Sequence, residues 1–252
     1  MTGGVAVITG AARGLGKSFS EALLKRGHKV YLCDVDVKEG EKTQAELRKS
    51  YGDGNVQFQP CDVRKEQDFK AFFNGALQKF SSVDLMVNNA GILHEKEWRN
   101  CVDINLSGMI QGSLLAIDHM QQNNGGKGGV IINISSLAGV MPVPFCPVYS
   151  ATKTGIVAFS RSWAMHPEIK KNGVRIACLC PSFANTDIVK GTNDKVQGAA
   201  LANTVFNRYS LMTTERVTEA FLRVLDDNNN NGKVMIVTPT FMDYNTFNDP
   251  KL

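Results

Sequence analysis

The chain has 252 residues, of which 43% are hydrophobic and 21% charged, and its formal net charge is +4. This length and composition are typical of a globular protein with one large domain or two small ones. The basic residues are scattered along the sequence, which argues against a nucleic-acid-binding protein.

Neither the cysteines nor the first residues indicate an exported or membrane protein. The six cysteines form no CxxC pair and no His/Cys spacing typical of metal sites, which predicts free thiols, no bound metal and a cytoplasmic location. The opening MTGGVAVITG lacks the pattern of a signal peptide. No apolar run reaches the roughly 18 residues that span a bilayer. The C-terminal PKL is a poor copy of the peroxisomal SKL signal.

Short apolar segments rich in β-branched residues alternate with amphipathic segments along the chain. Several of the short segments are apolar almost throughout, as expected for parallel strands covered on both faces. Four phenylalanines between 69 and 80 have helical spacing, which favours core packing over a ligand site. The pattern predicts one doubly wound α/β domain over 1–252 with about seven parallel strands and helices on both faces. The predicted strands are 5–9, 29–33, 56–61, 84–88, 129–134, 174–180 and 233–238.

The segment TGAARGLG places Gly10, Gly14 and Gly16 between the first predicted strand and the first predicted helix. Glycine permits a left-handed backbone and the close approach of a ligand, and the free N–H groups of a helix N-terminus attract phosphate. The spacing is GxxxGxG rather than GxGxxG, and such a turn alone is also typical of a tight connection. The strand–turn–helix context favours a dinucleotide pyrophosphate.

Asp34 ends the second predicted strand, where an acid hydrogen-bonds the ribose hydroxyls of an adenine dinucleotide and repels a 2′-phosphate. Arg13 argues in the opposite direction, because a guanidinium pairs with phosphate. We expect the repulsion by Asp34 to dominate, which favours NAD over NADP. Asp62 ends the third strand and is interpreted either as an adenine contact or as the N-cap of the next helix.

Tyr149 and Lys153 stand four residues apart after Pro147 and share one face of a predicted helix. A free phenol has a pKa of about 10 and is a poor base at neutral pH. A neighbouring ammonium favours the phenolate, so we expect Lys153 to lower the pKa of Tyr149. The alternative is a solvated lysine beside a half-buried tyrosine. Ser136 follows the fifth strand, at the same sheet edge as the glycine-rich turn, and can hold a substrate oxygen beside Tyr149.

The segments TGAARGLG, CDV, NNAG, DINLSG, SS and YSATK follow the order and approximate spacing of the short-chain dehydrogenase/reductase family, which the chain resembles over nearly its whole length. The resemblance implies a Rossmann-type fold, a nicotinamide cofactor, and hydride transfer between a secondary alcohol and a ketone. NNAG is also expected to stabilise the central sheet through asparagine hydrogen bonds.

The resemblance also assigns roles by position. It implies that Tyr149 is the general acid/base, that Lys153 binds ribose and tunes the tyrosine, that Ser136 orients the substrate, and that Asn105 supports a water-linked proton relay. The implied cofactor contacts are Gly10, Arg13, Gly14, Leu15, Gly16, Asp34, Val35, Asp62, Val63, Asn89, Tyr149, Lys153, Ala184 and Thr186.

Within the family, the chain is most similar to the branch that oxidises a hydroxyl on oxygenated fatty acids such as prostaglandins. This implies an NAD-dependent enzyme for a lipid-like secondary alcohol that contacts Ser136, Cys146 and Tyr149. Two positions depart from the pattern, since Cys146, a weak hydrogen-bond donor, replaces the glutamine of that branch and Ser182 replaces the usual glycine.

Residues 183–212 are long for a connector, which predicts a substrate lid; the alternative is a surface helix packed on the core. Residues 239–252 are expected to form a C-terminal tail. The apolar residues of the predicted lid include Ile188, Val189, Leu201, Val205, Phe206 and Tyr209.

Two other functions stay open at this point. One is a steroid, retinoid or small-alcohol dehydrogenase on the same scaffold, and the other is a catalytically silent dinucleotide-binding sensor. The presence of all four catalytic residues disfavours the sensor. The resemblance further implies a homodimer through the helices that begin near Asn105 and Tyr149. The candidate apolar contacts of that dimer are Leu114, Ile117, Phe159 and Trp163.

Overall fold

The centre of the structure is an eight-stranded sheet. The computed structural model of the chain describes residues 3–188, 194–208 and 211–247, with 206–208 described as backbone only. The strands are β1 (Val5–Thr9), β2 (Lys29–Asp34), β3 (Val56–Pro60), β4 (Leu85–Asn88), β5 (Gly129–Ile134), β6 (Val174–Pro181), β7 (Val234–Val237) and β8 (Met242–Tyr244). Their order across the sheet is β3-β2-β1-β4-β5-β6-β7-β8.

The predicted parallel sheet is confirmed, with one addition at its edge. Each of the seven predicted strands is present to within about one residue at either end. β1 to β7 pair in parallel, whereas β8 pairs antiparallel with β7. The short β8 was not predicted, because its three residues have no alternation long enough to indicate a strand.

Helices cover both faces of the sheet, as the doubly wound prediction required. The helices are α1 (Gly14–Lys25), α2 (Val37–Tyr51), α3 (Glu66–Phe80), α4 (Trp98–Val102), α5 (Met109–Met120), α6 (Pro147–Met165), α7 (Pro167–Lys171), α8 (Ala199–Arg208) and α9 (Thr214–Asp226). Side chains alternate between the faces along β1, so Ala6 and Ile8 join the core under α1, α2 and α9, while Val7 joins the core under α3 and α5. The four phenylalanines of α3 lie in or against this second core.

The order of the strands indicates where a ligand can bind. The strand order reverses between β1 and β4, and ligands of open α/β sheets bind at such a point, beyond the carboxyl ends of the strands. Asn88 joins the elements there, because its Nδ2 donates to Ser113 Oγ (3.0 Å) and to Asn133 Oδ1 (2.8 Å). The expected stabilisation of the central sheet by NNAG is thereby confirmed.

Within the described ranges, no helix has the length and apolar character needed to cross a membrane.

Candidate active site

The glycine-rich turn lies between β1 and α1, at the reversal point of the sheet. Gly10 and Gly14 have φ angles of +63° and +55°, which side chains other than glycine rarely tolerate. A Cβ on Gly16 would lie 2.3 Å from Gly10 O. Asn89 Nδ2 donates to the carbonyls of Thr9 and Gly10, both at 2.9 Å. The turn is therefore closely packed against the residues that follow β4.

Asp34 is held at the end of β2, facing the same turn. Its Oδ2 accepts from Ala12 N and its Oδ1 from Asp36 N, both at 3.1 Å. The guanidinium of Arg13 pairs with Asp36, and its Nη1 lies 3.6 Å from Asp187 Oδ2. Arg13 is thus flanked by carboxylates, which makes it a poor partner for a 2′-phosphate.

The structure corrects one interpretation of Asp62. Lys65, rather than Asp62, occupies the N-cap position of α3. The Asp62 carboxylate instead accepts from Arg64, with Oδ2 at 2.6 Å from Nη2, and this hydrogen bond lowers the pKa of Asp62. Beside these acids, Val35 is 66% exposed and Val63 is buried. A Cβ on Gly108 would lie 2.9 Å from Val63 Cγ2, so Val63 packs closely on the segment before α5.

Tyr149 and Lys153 lie together in the first two turns of α6, which begins at Pro147, a favoured first residue of a helix. Both are buried, with exposures of 8% and 3%. Lys153 Nζ lies 5.5 Å from the centroid of the Tyr149 ring and donates to Ile134 O at 3.0 Å. The alternative of a solvated lysine is therefore wrong. Ser136 lines the same cleft as Tyr149 and Lys153, so the three predicted residues meet beyond the end of β5.

The pKa of Tyr149 shifts in the direction opposite to our expectation. Burial raises the pKa of Tyr149, and the hydrogen bond from Ser136 only partly opposes this effect. Burial also lowers the pKa of Lys153 to about 8. Because both groups are taken out of water, desolvation is the largest cause of both pKa shifts.

Asn105 lies in a π-helical segment, Asp103–Gly108, between α4 and α5. π-Helical turns are rare and frequently occur at functional sites. Asn105 Oδ1 accepts from Ile92 N (2.8 Å), and its Nδ2 donates to Thr152 Oγ1 (3.1 Å). A Cβ on Gly91 would lie 3.3 Å from Asn105 Oδ1 and 3.4 Å from Lys153 Nζ, so both polar groups converge on this glycine.

One cleft of about 1220 Å³, including its open mouth, joins part of the predicted cofactor site to the predicted catalytic residues. Asn105 is buried and does not line the cleft. Eight of the predicted cofactor contacts also lie outside the lining: Gly10, Arg13, Gly14, Gly16, Asp34, Val35, Asp62 and Val63. Most of the residues that line the cleft are apolar. The predicted residues that line the cleft are Leu15, Asn89, Ser136, Cys146, Tyr149, Lys153, Ala184 and Thr186.

The two departures from the family pattern lie in the walls of this cleft. Cys146 is buried, and burial raises the pKa of its thiol to about 12, so it acts as an apolar wall rather than as a reactive group. Ser182 does not have a left-handed backbone, because Ser81 is the one described non-glycine residue with a positive φ. A serine therefore fits at position 182 in place of the usual glycine. Ser182 N donates to Val237 O at 2.8 Å.

The predicted lid is helical in part, with α8 as its regular element. Ile188 and Val205 line the cleft, whereas Leu201 is exposed. The segment is closed at its base, since Ala184 forms a parallel bridge with Met212. Met212 N donates to Phe183 O at 2.8 Å, and Asn185 N donates to Met212 O at 2.9 Å. Val189, the side chain of Phe206, Tyr209 and the C-terminal PKL lie outside the described residues.

Glu95, which was not among the predicted site residues, is a buried carboxylate that contacts the start of α6. Its Oε1 accepts from Tyr149 N at 2.8 Å, and its Oε2 accepts from Val148 N at 2.9 Å. In the segment LHEKEW, Glu95 is one acid among several polar residues, and its neighbours Lys96 and Glu97 are exposed. No sequence signal separates it from them.

Comparisons with known proteins agree with this geometry. The family model for short chain dehydrogenase matches residues 4–197. The chain is 37% identical to 15-hydroxyprostaglandin dehydrogenase (NAD(+)) of Rattus norvegicus, over 98% of this chain and 97% of the relative. It is 36% identical to the protein of that name from Homo sapiens, over 98% and 96%. It is also 31% identical to 3-oxoacyl-(acyl-carrier-protein) reductase FabG of Vibrio cholerae, over 80% and 82%.

Solved structures show the same fold at low sequence identity. A short chain dehydrogenase/reductase from Burkholderia phymatum in complex with NAD has a TM-score of 0.81 at 23% identity, covering 93% of this chain and 89% of the other. Levodione reductase has a TM-score of 0.82 at 23% identity, covering 94% and 97%. The matched family model, the relatives and the fold together show that the chain belongs to the short-chain dehydrogenase/reductase family.

Proposed function

We propose that this oxidoreductase uses NAD to oxidise the secondary hydroxyl of a lipid-like alcohol to a ketone, and that its substrate is a 15-hydroxyprostaglandin or another hydroxy fatty acid. The observation that carries the proposal is the cleft, in which Ser136, Tyr149 and Lys153 form a polar end of a largely apolar lining. The relatives named for 15-hydroxyprostaglandin, which match over nearly the full chain, support this substrate.

The residues at the reversal point of the sheet fit NAD. The positive φ angles of Gly10 and Gly14 shape the turn that precedes α1, and the free N–H groups at the N-terminus of α1 would hold a pyrophosphate. Asp34 would hold the adenosine ribose, and the pairing of Arg13 with carboxylates disfavours NADP. Bound NAD supplies the hydride acceptor and a positive charge on its nicotinamide ring, which favours the tyrosinate.

Each of the four catalytic residues has its own role in the reaction. Ser136 Oγ orients the substrate oxygen next to the phenol of Tyr149. Tyr149 Oη accepts the hydroxyl proton as the carbonyl forms, so it must be ionised at that moment. Lys153, with a pKa of about 8, is largely protonated at neutral pH, and its ammonium stabilises the phenolate. Asn105 holds the π-helical segment beside Lys153, where protons can leave towards solvent through water.

We extend the proposal to the surroundings of the site. Residues 183–212 act as the substrate lid, because Ile188 and Val205 contribute apolar surface to the cleft. The enzyme forms a homodimer through α5 and α6, and it works in the cytoplasm, where its six buried free cysteines stay reduced. Residues 239–252 are the proposed C-terminal tail, whose described part, 239–247, includes β8.

The experiment that tests the substrate follows NADH formation with a panel of alcohols under identical conditions. The panel contains 15-hydroxyprostaglandins, other hydroxy fatty acids, steroids, retinol and short alcohols, each offered with NAD and with NADP. We expect the highest kcat/KM for a hydroxy fatty acid with NAD. Turnover confined to steroids, retinol or short alcohols would refute the lipid substrate, and preference for NADP would refute the role of Asp34.

The same assay on Tyr149→Phe separates an enzyme from a dinucleotide sensor. We expect the variant to lose about 10²–10⁴-fold in kcat, the usual contribution of a general acid/base, and to bind NADH as the wild type does. If the wild type binds NADH but oxidises no alcohol, the protein is a sensor instead.

A further inference from the structure

Glu95 caps the helix that carries Tyr149 from a distant part of the chain. Glu95 is 4% exposed, and its two carboxylate oxygens accept from the backbone N–H groups of Val148 and Tyr149. The first N–H groups of a helix have no acceptor within the helix, so they require one from outside. Within the described structure, Cys146 at the N-cap position supplies no side-chain hydrogen bond for this purpose. Glu95 therefore performs the capping that the local sequence omits.

The backbone of Glu95 also anchors the segment that leads into the proposed lid. Glu95 N donates to Lys195 O at 2.6 Å, and Gln197 N donates to Phe145 O at 3.0 Å. The strap, residues 195–198, thus lies across the N-terminus of α6 immediately before α8. Val196 of the strap is buried in the same apolar cluster as Phe145 and Tyr149.

We propose that Glu95 is a positioning residue, which fixes the first turn of α6 so that the phenol of Tyr149 meets Ser136 and which links this turn to the strap. The proposal rests on the proposed role of Tyr149 as the base. Hydrogen bonds to a carboxylate are shorter and stronger than those between neutral groups, so two of them restrain the turn firmly. Reaction rates are sensitive to such restraint, because a displacement of about 1 Å in the reacting groups can cost about 100-fold.

Steady-state kinetics on the best alcohol of the wild type test the positioning role. For Glu95→Ala, we expect kcat to fall about 100-fold, while the dissociation constant of NADH changes less than about threefold because the glycine-rich turn is untouched. The primary deuterium isotope effect on kcat should increase, since a misplaced base slows the chemical step. Glu95→Gln keeps one acceptor oxygen and should recover part of the loss.

Thr213→Ala is the matched control. Thr213 Oγ1 caps α9 by accepting from Arg216 N, so this variant also loses a helix cap, but at a helix remote from Tyr149. We expect it to keep the kcat and isotope effect of the wild type. If Glu95→Ala also keeps them, Glu95 is a structural cap only and the proposal is wrong.

Hydrogen exchange provides a second readout that needs no turnover. In Glu95→Ala, and to a lesser extent in Glu95→Gln, we expect faster exchange in both the first turn of α6 and the strap, and no change there in Thr213→Ala. Unchanged exchange in either segment would overturn the link between them. If the wild type oxidises no alcohol, the proposed function fails, and the exchange rates alone decide whether Glu95 fixes the two segments.

Discussion

At the scale of single residues, Tyr149 and Lys153 are buried side by side, and burial shifts both pKa values towards the neutral forms. An isolated YxxxK pattern predicts the spacing of the two groups but not their solvation. Solvation depends on Leu93, Val196 and Ala202, which come from distant parts of the chain and share a buried apolar cluster with the tyrosine. For this reason the sequence predicted that the two side chains share a helix but predicted the direction of the Tyr149 pKa shift wrongly.

The buried lysine makes stability depend on pH. Its pKa is lowered from 10.5 to about 8, so between these values the unfolded state binds more protons and stability rises with pH. Relative to Lys153→Met, the wild type should gain up to about 3 kcal/mol in free energy of unfolding over this range. Urea unfolding at several pH values measures the difference, with the exposed Lys170→Met as control. A difference independent of pH would contradict the burial effect.

At the same scale, we propose that the carboxylate of Asp34 determines cofactor choice. Asp34→Ser removes the charge that repels a 2′-phosphate, and two charges about 4 Å apart interact by roughly 1–4 kcal/mol. We therefore expect the ratio of kcat/KM for NAD to that for NADP to fall by at least about tenfold, or about 1.4 kcal/mol. The exposed Asp118→Asn, which removes a similar charge from α5, should leave the ratio unchanged. An unaltered ratio in Asp34→Ser would show that groups other than Asp34 determine the preference for NAD.

At the scale of elements, the strands, the glycine-rich turn and the start of α6 follow from local patterns, and the sequence predicted them. The remaining features depend on contacts between distant segments. β8 pairs with the edge of β7. Glu95 reaches the N–H groups of α6 because α4, which begins three residues after it, lies next to α6. The N-cap interpretation of Asp62 was wrong because α3 begins at Glu66 and Lys65 occupies the N-cap position.

The glycine-rich turn provides a prediction about packing. In Gly16→Ala, the new Cβ would lie 2.3 Å from Gly10 O and 2.8 Å from Asn89 Nδ2, so the turn must open. We expect a loss of about 1–3 kcal/mol in free energy of unfolding, typical of overpacking. NADH binding, measured by fluorescence titration, should weaken at least about tenfold, the equivalent of about 1.4 kcal/mol.

Gly54→Ala is the control for the glycine substitution. A Cβ on Gly54 would have no described atom within 4 Å, so stability and NADH binding should match the wild type. If Gly16→Ala also binds NADH normally, the ligand does not approach this turn.

At the scale of the whole molecule, α5 offers an apolar surface on the proposed dimer face. Leu114 is 43% exposed, whereas Ile117 is buried in the core of its own chain and is therefore unavailable to a partner. Phe159 and Trp163 on α6 are partly buried. The sequence predicted the apolar helix but could not distinguish the residues that face its own core from those that face outwards.

The dimer has a direct test in Leu114→Glu. Symmetry across a twofold axis places two copies of the new carboxylate at one interface, and like charges there cost several kcal/mol. We expect a dimer for the wild type and a monomer for the variant in analytical ultracentrifugation at the same concentration. Val37→Glu changes a similarly exposed apolar residue on α2, on the other face of the sheet, and should stay dimeric. A dimeric Leu114→Glu would exclude this part of α5 from the interface.

The bridge between Ala184 and Met212 has a consequence for how new members of such a family can arise. Because the chain returns to the point where it left the sheet, the intervening stretch is a closed excursion from the scaffold. Insertions, deletions or replacements within such an excursion change loop-closure entropy only slowly with length. Natural selection can therefore change the cleft by replacing the part of this stretch beyond Thr186, while the predicted cofactor contacts are inherited unchanged. Chimeric enzymes joined after Thr186 and before Met212 would use the same property.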